Sequence, residues 1–315
     1  MFRYILLSIL LFSGLFGTDI YYDQVIDNGS WEPKAKIRLI ENNDTTYSIA
    51  PNMADGLGNP ITSIDGNLDI GNFYLKVAKD EVTGHSIIHK FGRNPAVSTS
   101  SFSTIWNGGG AYTGFNATEA EIVTISSTDA DDNGDTNDTG LRTLRIFGLD
   151  ADWHEQYEDI TLEGTDDVNS TLSYVRLDRA KGLTAGSSGY NEGDITIKQS
   201  VTIANVFAVV PATYNSTMIA AYTIPADRTG YLMSLSTALS NKNAAVVDVR
   251  FQVKHPGDIF TVGGEAAINS VGSGFVTFPF PIPIRLQAKT DIYIEGEASA
   301  SVAVSAFMDI LLVDD

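Results

Sequence analysis

VAVSAFMDILL, residues 302–312, is the stretch whose reading decides the fold. Its even-numbered positions Val302, Val304, Ala306, Met308, Ile310 and Leu312 are all apolar, with Ser305 and Asp309 among the residues between them. A period of two puts one set of side chains on a single face of an extended strand. The same alternation marks 120–126, 141–147, 194–198, 246–253 and 291–295. Turn formers separate these runs: Asp132-Asn133-Gly134-Asp135, Glu163-Gly164-Thr165, Gly186-Ser187-Ser188-Gly189, Pro225-Ala226-Asp227-Arg228-Thr229-Gly230 and Gly263-Gly264. A helical period is almost absent, and strands spaced by roughly 8–12 residues predict sandwiches or barrels rather than βαβ units. The expected fold is all-β: two tandem antiparallel β-sandwich domains, at 98–205 and 206–315, follow an extended attachment segment at 18–97. The second sandwich is expected to be jelly-roll-like.

Composition narrows the function. Of 315 residues, 39 are acidic and 20 basic, a net charge of −19. That balance excludes a nucleic-acid binder driven by overall charge. Hydrophobic residues at 43% supply enough apolar surface for a core in each domain. The absence of cysteine excludes disulfides, thiolate metal sites and cysteine nucleophiles. The chain has four histidines, His85, His89, His154 and His255, which is little material for acid–base work near neutral pH. No nucleophile elbow or phosphate-binding loop is present. The expectation is a protein that is not an enzyme, with no catalytic residue and no organic cofactor. At the N-terminus, Met1-Phe2-Arg3 precedes an apolar run to Gly17, the layout of a secretory signal peptide and too short to span a bilayer comfortably. A cleaved signal, an uncleaved anchor and an apolar arm that docks on a partner are the three readings of residues 1–17.

The segment closest to recognisable chemistry is Asp129-Ala130-Asp131-Asp132-Asn133-Gly134-Asp135. Asp129, Asp131, Asn133 and Asp135 have the opening spacing of a calcium loop, in which hard oxygens converge and glycine permits a sharp turn. Gly140 stands where the closing glutamate belongs, so a solvated hairpin tip is the competing reading. Residues 127–170 hold 13 acids against Arg142 and Arg145 alone, so they carry −11 of the net charge. His85 and His89 lack the intervening glutamate of a helical zinc motif, and their β-branched surroundings disfavour a helix. Asp150, Asp152 and the acids of 155–159 offer carboxylate pairs of the kind glycosidases use, and equally the solvated acids of a turn. Trp106-Asn107-Gly108-Gly109-Gly110 reads as a sharp entry into a strand with the indole as anchor. Proline at 279, 281 and 283 predicts an edge strand.

Several phrases in order carry a family resemblance. FYLKVAKDEVTGHSIIHKFGRNP (73–95) and IWNGGG (105–110) come first, followed by GLRTLRIFGLDADWHEQYEDITLEGTDDV (140–168), YTIPADRTGYLMSL (222–235) and the closing DILLVDD. The combination resembles a group of virion structural proteins of tailed bacteriophages, marine phages among them, over about residues 73–315. The resemblance implies a capsid-decoration, head-fibre or tail-associated component that acts by assembly and surface binding and contributes no catalytic residues. It also implies other virion proteins as partners through the N-terminal segment, a homo-oligomer with a trimer as first choice, and host-surface glycan or protein as an outer contact. The expected location is the virion. The signal-like run keeps a second reading open, a secreted bacterial cell-surface or adhesin-like protein.

Overall fold

The computed structural model describes the backbone of 19–25, 31–41 and 47–50, and residues 73–239, 245–269 and 274–315 in full. The signal-like segment 1–17 lies outside the described residues. The chain divides into two compact units, 1–71 and 72–315. In the first, β1 (Asp19–Val25), β2 (Trp31–Glu41) and β3 (Tyr47–Ala50) form an antiparallel sheet in chain order. A sheet therefore stands within the stretch read as extended.

The second unit opens with a short helix, α1 (Phe73–Ala78), and then β4 (His85–Val97). The remaining strands, in chain order, are β5 (Ser103–Thr104), β6 (Glu121–Ser127), β7 (Leu141–Leu149), β8 (Glu155–Thr161), β9 (Val168–Tyr174), β10 (Arg176–Ala185), β11 (Ile195–Gln199), β12 (Val206–Val210), β13 (Ala221–Thr223), β14 (Arg228–Leu239), β15 (Val246–Lys254), β16 (Thr261–Asn269), β17 (Phe275–Leu286), β18 (Asp291–Ala298) and β19 (Val302–Asp314). All pairings are antiparallel.

Two sheets built from the ends of this unit enclose one core. Their orders are β17-β14-β19-β4 and β16-β15-β18-β13, with β5 also on β18. Treated as eight strands in chain order, one sheet reads sixth, third, eighth, first and the other fifth, fourth, seventh, second. That connectivity is the double Greek key of a jelly roll. The even positions of β19 that the sequence marked as apolar are its inner face: Val302, Val304, Ala306, Met308, Ile310 and Leu312 are each at most 1% exposed. They share their core with Leu232, Val247, Ile292 and Ile294.

The second strand of the jelly roll is broken in two. On β18, Gly296 and Glu295 face Ser103 and Thr104, and then Tyr293, Ile292 and Asp291 face Ala221, Tyr222 and Thr223. Between the halves, Ile105 N–H donates to Ile294 O, Ile294 N–H to Ala220 O, and Ala220 N–H to Ile105 O. Residue 105 thus hands the strand on to residue 220, and Trp106 pairs with Ile219 to close a neck. Everything from about 106 to 219 is inserted at this point. The insert is a second sandwich, with sheets β10-β7-β8 and β12-β11-β6-β9 and its own core, which includes Val123, Ile125, Leu144, Ile146, Ile195 and Phe207.

This corrects the tandem arrangement expected from sequence. The jelly roll consists of about 85–105 and 220–315, the inserted sandwich runs past 205 to include β12, and residues 85–97 belong to a sheet rather than an attachment segment. The cause is that β19 needs a partner on each side, and β4 supplies one along its length, from Val97 opposite Val302 to His85 opposite Val313.

Three features hold the neck. Trp106 is 4% exposed, its ring packs edge-on to Tyr112 with centroids 5.2 Å apart, and its Nε1 donates to Gly110 O at 3.3 Å. Gly109 and Gly110 take φ of 68° and 60°, as the glycine run required. Asn94, 1% exposed, donates from Nδ2 to Thr104 O at 3.0 Å. Gly92 passes so close to the neck that a Cβ would sit 2.1 Å from Ile105 O and 2.2 Å from Ala220 N, both backbone atoms. Gly92→Ala should lower stability by about 1–3 kcal/mol through overpacking, as read from the urea midpoint, whereas Gly189→Ala, where a Cβ meets open space, pays only for its positive φ.

A buried ion pair joins the two sandwiches. Arg176 of β10 and Asp291 of β18, 4% and 1% exposed at the side chain, make two bonds of 2.9 Å.

Candidate functional site

A cleft of about 660 Å³ opens where the inserted sandwich meets the jelly roll. Its walls are the edge strand β4 at 87–91, Phe147 and Gly148 of β7, Glu155–Tyr157 of β8, Asp178 and Arg179 of β10, and Ser216, Thr217, Ile219 and Tyr222 before and within β13. β4 and β13 are edge strands of the two jelly-roll sheets, and the cleft brings both together with the sheet β10-β7-β8. Ile219, which pairs with Trp106 at the neck, is part of the lining of the cleft.

Lys90 Nζ donates to the backbone carbonyl of Asp178 and lies 5.9 Å from the centroid of the Tyr222 ring. Burial works against both charges. It lowers the Lys90 ammonium to about 8 despite the attraction of Asp178, and it raises the Asp178 carboxyl to about 7 despite Lys90. Between the ordinary carboxylate value and about 7, the folded chain holds a proton that the unfolded chain has released, so stability falls as pH rises through that window. Asp178→Asn should flatten this decline, measured as urea unfolding free energies at about pH 4.5, 6 and 7.5. An unchanged slope would remove the assignment. Tyr222 is 3% exposed and its hydroxyl oxygen is buried without a hydrogen-bond partner. Desolvation holds it well above the ordinary phenol value, with Asp178 and Glu155 adding to the effect. On the rim, Phe147 and Tyr157 form a tilted pair 6.0 Å apart, and Tyr157 is 59% exposed.

The acidic tip draws in a residue from outside its own turn. The structure brings Asp129 and Asp131 together with Glu192, one carboxylate oxygen of each lying within 4.8 Å of the others. The side chains of Asn133 and Asp135 accept Asp135 N–H and Asn137 N–H within the turn, as that of Asp129 accepts Asp131 N–H. These three carboxylates would supply part of the six to eight oxygens that calcium takes. Glu192, distant in sequence, carried no signal near the loop. The central residue is Asp132, which the spacing treats as filler. It is 0% exposed and accepts from Ser127 Oγ, Leu141 N, Glu192 N and Gly193 N at 2.6–2.9 Å.

Other sequence candidates are placed apart. His85 and His89 lie on β4; His89 Nδ1 bonds Asp309 Oδ1 at 2.6 Å and His85 Nδ1 bonds Thr83 O at 2.9 Å. Asp150 Oδ1 accepts Asp152 N and His154 N in a turn, Asp159 pairs with Arg145, and Glu158 accepts from Thr171. Glu155 lines the cleft and pairs with Arg228. The proline run lies in β17, the edge of its sheet, as predicted. Among the described residues no helix is long and apolar enough to cross a membrane.

No family model matches the chain, and no curated protein matches it. Among solved structures it is similar to infectious bursal disease virus Gt strain, at 10% identity over 76% of this chain and 78% of that one, with a TM-score of 0.19. The VP2 subviral particle of infectious bursal disease virus gives 9% identity, 73% and 72% coverage and a TM-score of 0.21. The mosquito-larvicidal Cry4Aa toxin from Bacillus thuringiensis gives 10% identity, 95% and 52% coverage and a TM-score of 0.17. Likenesses at these scores carry no argument about the chemistry of this chain.

Proposed function

We propose that the chain is a non-enzymatic structural protein of a tailed-phage virion, a capsid-decoration, head-fibre or tail-associated component that acts by assembly and surface binding. The observation that carries this reading is where the phage-like phrases lie. GHSIIHKFGRNP is β4, with Gly92 and Asn94 at the neck, and IWNGGG is the neck itself. Trp153 of the third phrase accepts Ala226 N–H of the fourth at its carbonyl, and its ring lies over Arg176 at 4.7 Å. Arg228 of the fourth reaches Ser86 and, through ion pairs, Glu155 and Asp314. These residues frame a particular join between a jelly roll and its insert. A sequence signature made of joints rather than of a reaction centre belongs to a protein whose product is its shape.

The N-terminal unit serves as the attachment to other virion proteins in this proposal, and the protein works as a homotrimer. A secreted bacterial cell-surface protein is the second reading, favoured by the apolar run ahead of Thr18. The test is isopycnic purification of particles followed by quantitative mass spectrometry, with native mass spectrometry of the isolated protein. The proposal expects the chain to band with the particles in a fixed copy number and to run as three 33.9 kDa subunits. Its loss from banded particles would overturn the virion assignment, and a stable monomer would overturn the trimer.

A further inference from the structure

We infer that copies of this chain join through the jelly-roll edge formed by β16 and β17, with Ile282 of one copy seated in an apolar cavity of its neighbour. The inference rests on the reading of the chain as a homotrimer and adds to it the face and the contact. It begins at Phe278-Pro279-Phe280-Pro281-Ile282-Pro283-Ile284. Alternation along β17 assigns Ile282 to the inner face with Val276, Phe280 and Ile284, which pack against the core, yet Ile282 is 86% exposed. The ladder accounts for this. Pro279 lies opposite Ser234 and Ile284 opposite Leu232, so residues 280–283 stand against Met233 alone and the strand bulges there. Pro281 and Pro283 fix the backbone on both sides of Ile282, so little conformational freedom is left to lose on contact.

Beside the bulge, a cavity of about 160 Å³ lies between the edge strands β16 and β17. Leu235, Val249, Phe251, Phe278, Phe280 and Ile294 line it, and the rings of Phe251 and Phe280 stand edge-on with centroids 6.1 Å apart. An apolar cavity of roughly 150 Å³ takes a group the size of benzene, which is enough for one aliphatic side chain. One edge thus carries both a displayed aliphatic group and an apolar hole that can receive it.

Charge selects the occupant. From the start of β16 to the end of β17, residues 261–286 contain Glu265 and Arg285 as their only charged side chains, a net charge of zero in a chain of −19. A basic partner would be drawn to the acids of 127–170 instead. Two copies at −19 repel each other, and an apolar face without net charge is where they meet at least cost. A knob and a hole on one subunit make a heterologous contact, which closes as a trimer when the rotation between copies is threefold. The prolines of β17 keep that edge from extending the sheet through its backbone.

The test is native mass spectrometry and sedimentation equilibrium of the full chain, wild type and three variants. Ile282→Asp removes the knob, and Ala266→Leu fills the cavity from β16. Each should weaken association about tenfold or more, while the all-β circular-dichroism spectrum and a cooperative unfolding transition are kept. Val201→Asp adds the same charge to the inserted sandwich at a residue 81% exposed, and should assemble as wild type does. A wild type that assembles while Ile282→Asp assembles equally tightly would overturn the contact and leave the homotrimer reading standing. A wild type that stays monomeric would overturn both.

Discussion

Asp291→Ala should lower the stability of the full chain by about 3–5 kcal/mol, because it strands a guanidinium in the junction between the sandwiches. Arg176 donates from Nε and Nη2 to the two oxygens of Asp291 at 2.9 Å, and from Nη1 to Ala117 O and Val175 O at 2.8 Å. Asp291 also accepts Thr223 Oγ1 at 2.7 Å and faces Lys254 Nζ at 3.2 Å. Four of the five N–H groups of the fork are thus bonded, and Trp153 covers its face. Removing one partner leaves the other desolvated and unpaired, which is the expensive case. Replacing both, as in Arg176→Met with Asp291→Leu, should recover a large part of the loss, since two apolar groups need no partner. Urea unfolding of the two singles and the double gives the coupling directly. A loss below about 1 kcal/mol in Asp291→Ala would show that the junction does not depend on this pair.

Asp132→Ala should have a comparable effect, about 3–4 kcal/mol, confined to the inserted sandwich. The carboxylate gathers three backbone N–H groups from two distant segments, Leu141 from the start of β7 and Glu192 and Gly193 from the approach to β11, with the Ser127 hydroxyl as a fourth donor. An alanine leaves those buried donors without an acceptor, at about 1–3 kcal/mol each before relaxation. Asp132→Asn keeps the shape but turns an amide toward N–H groups, and should recover only part. Hydrogen exchange should accelerate at 141, 192 and 193 while the amides of β19 stay protected. Uniform acceleration throughout the second unit would instead mean that insert and jelly roll unfold as one.

The alternation of 302–312 was enough to place β19 and its inner face, because a strand with one face in the core must repeat every two residues. The edge strand β17 was legible for a similar reason, since proline lacks the donor an inner strand requires. The insertion was not legible. Ser103–Thr104 and Ala221–Thr223 are too short to show a period, and only their shared partner β18 reveals them as one strand. In β4, adjacent Ile87 and Ile88 and the bare Gly92 blur the pattern, and the demand that keeps Gly92 free of a side chain comes from the neck across the sheet. At the acidic tip, spacing along the chain singled out Asp129, Asp131, Asn133 and Asp135, whereas the buried carboxylate is Asp132, identified by donors about 10 and 60 residues away. The cleft was equally hidden, since Lys90, Asp178 and Tyr222 meet only after the insert folds back on the jelly roll.

The proposal that this is a virion protein is tested most directly by mass spectrometry of the native N-terminus, recovered from purified particles and separately from the host envelope. The expected result is a chain in the particles that retains residues 1–17 as part of the attachment segment. A chain that begins near Thr18, present in the envelope and missing from the particles, would contradict it and establish a secreted surface protein.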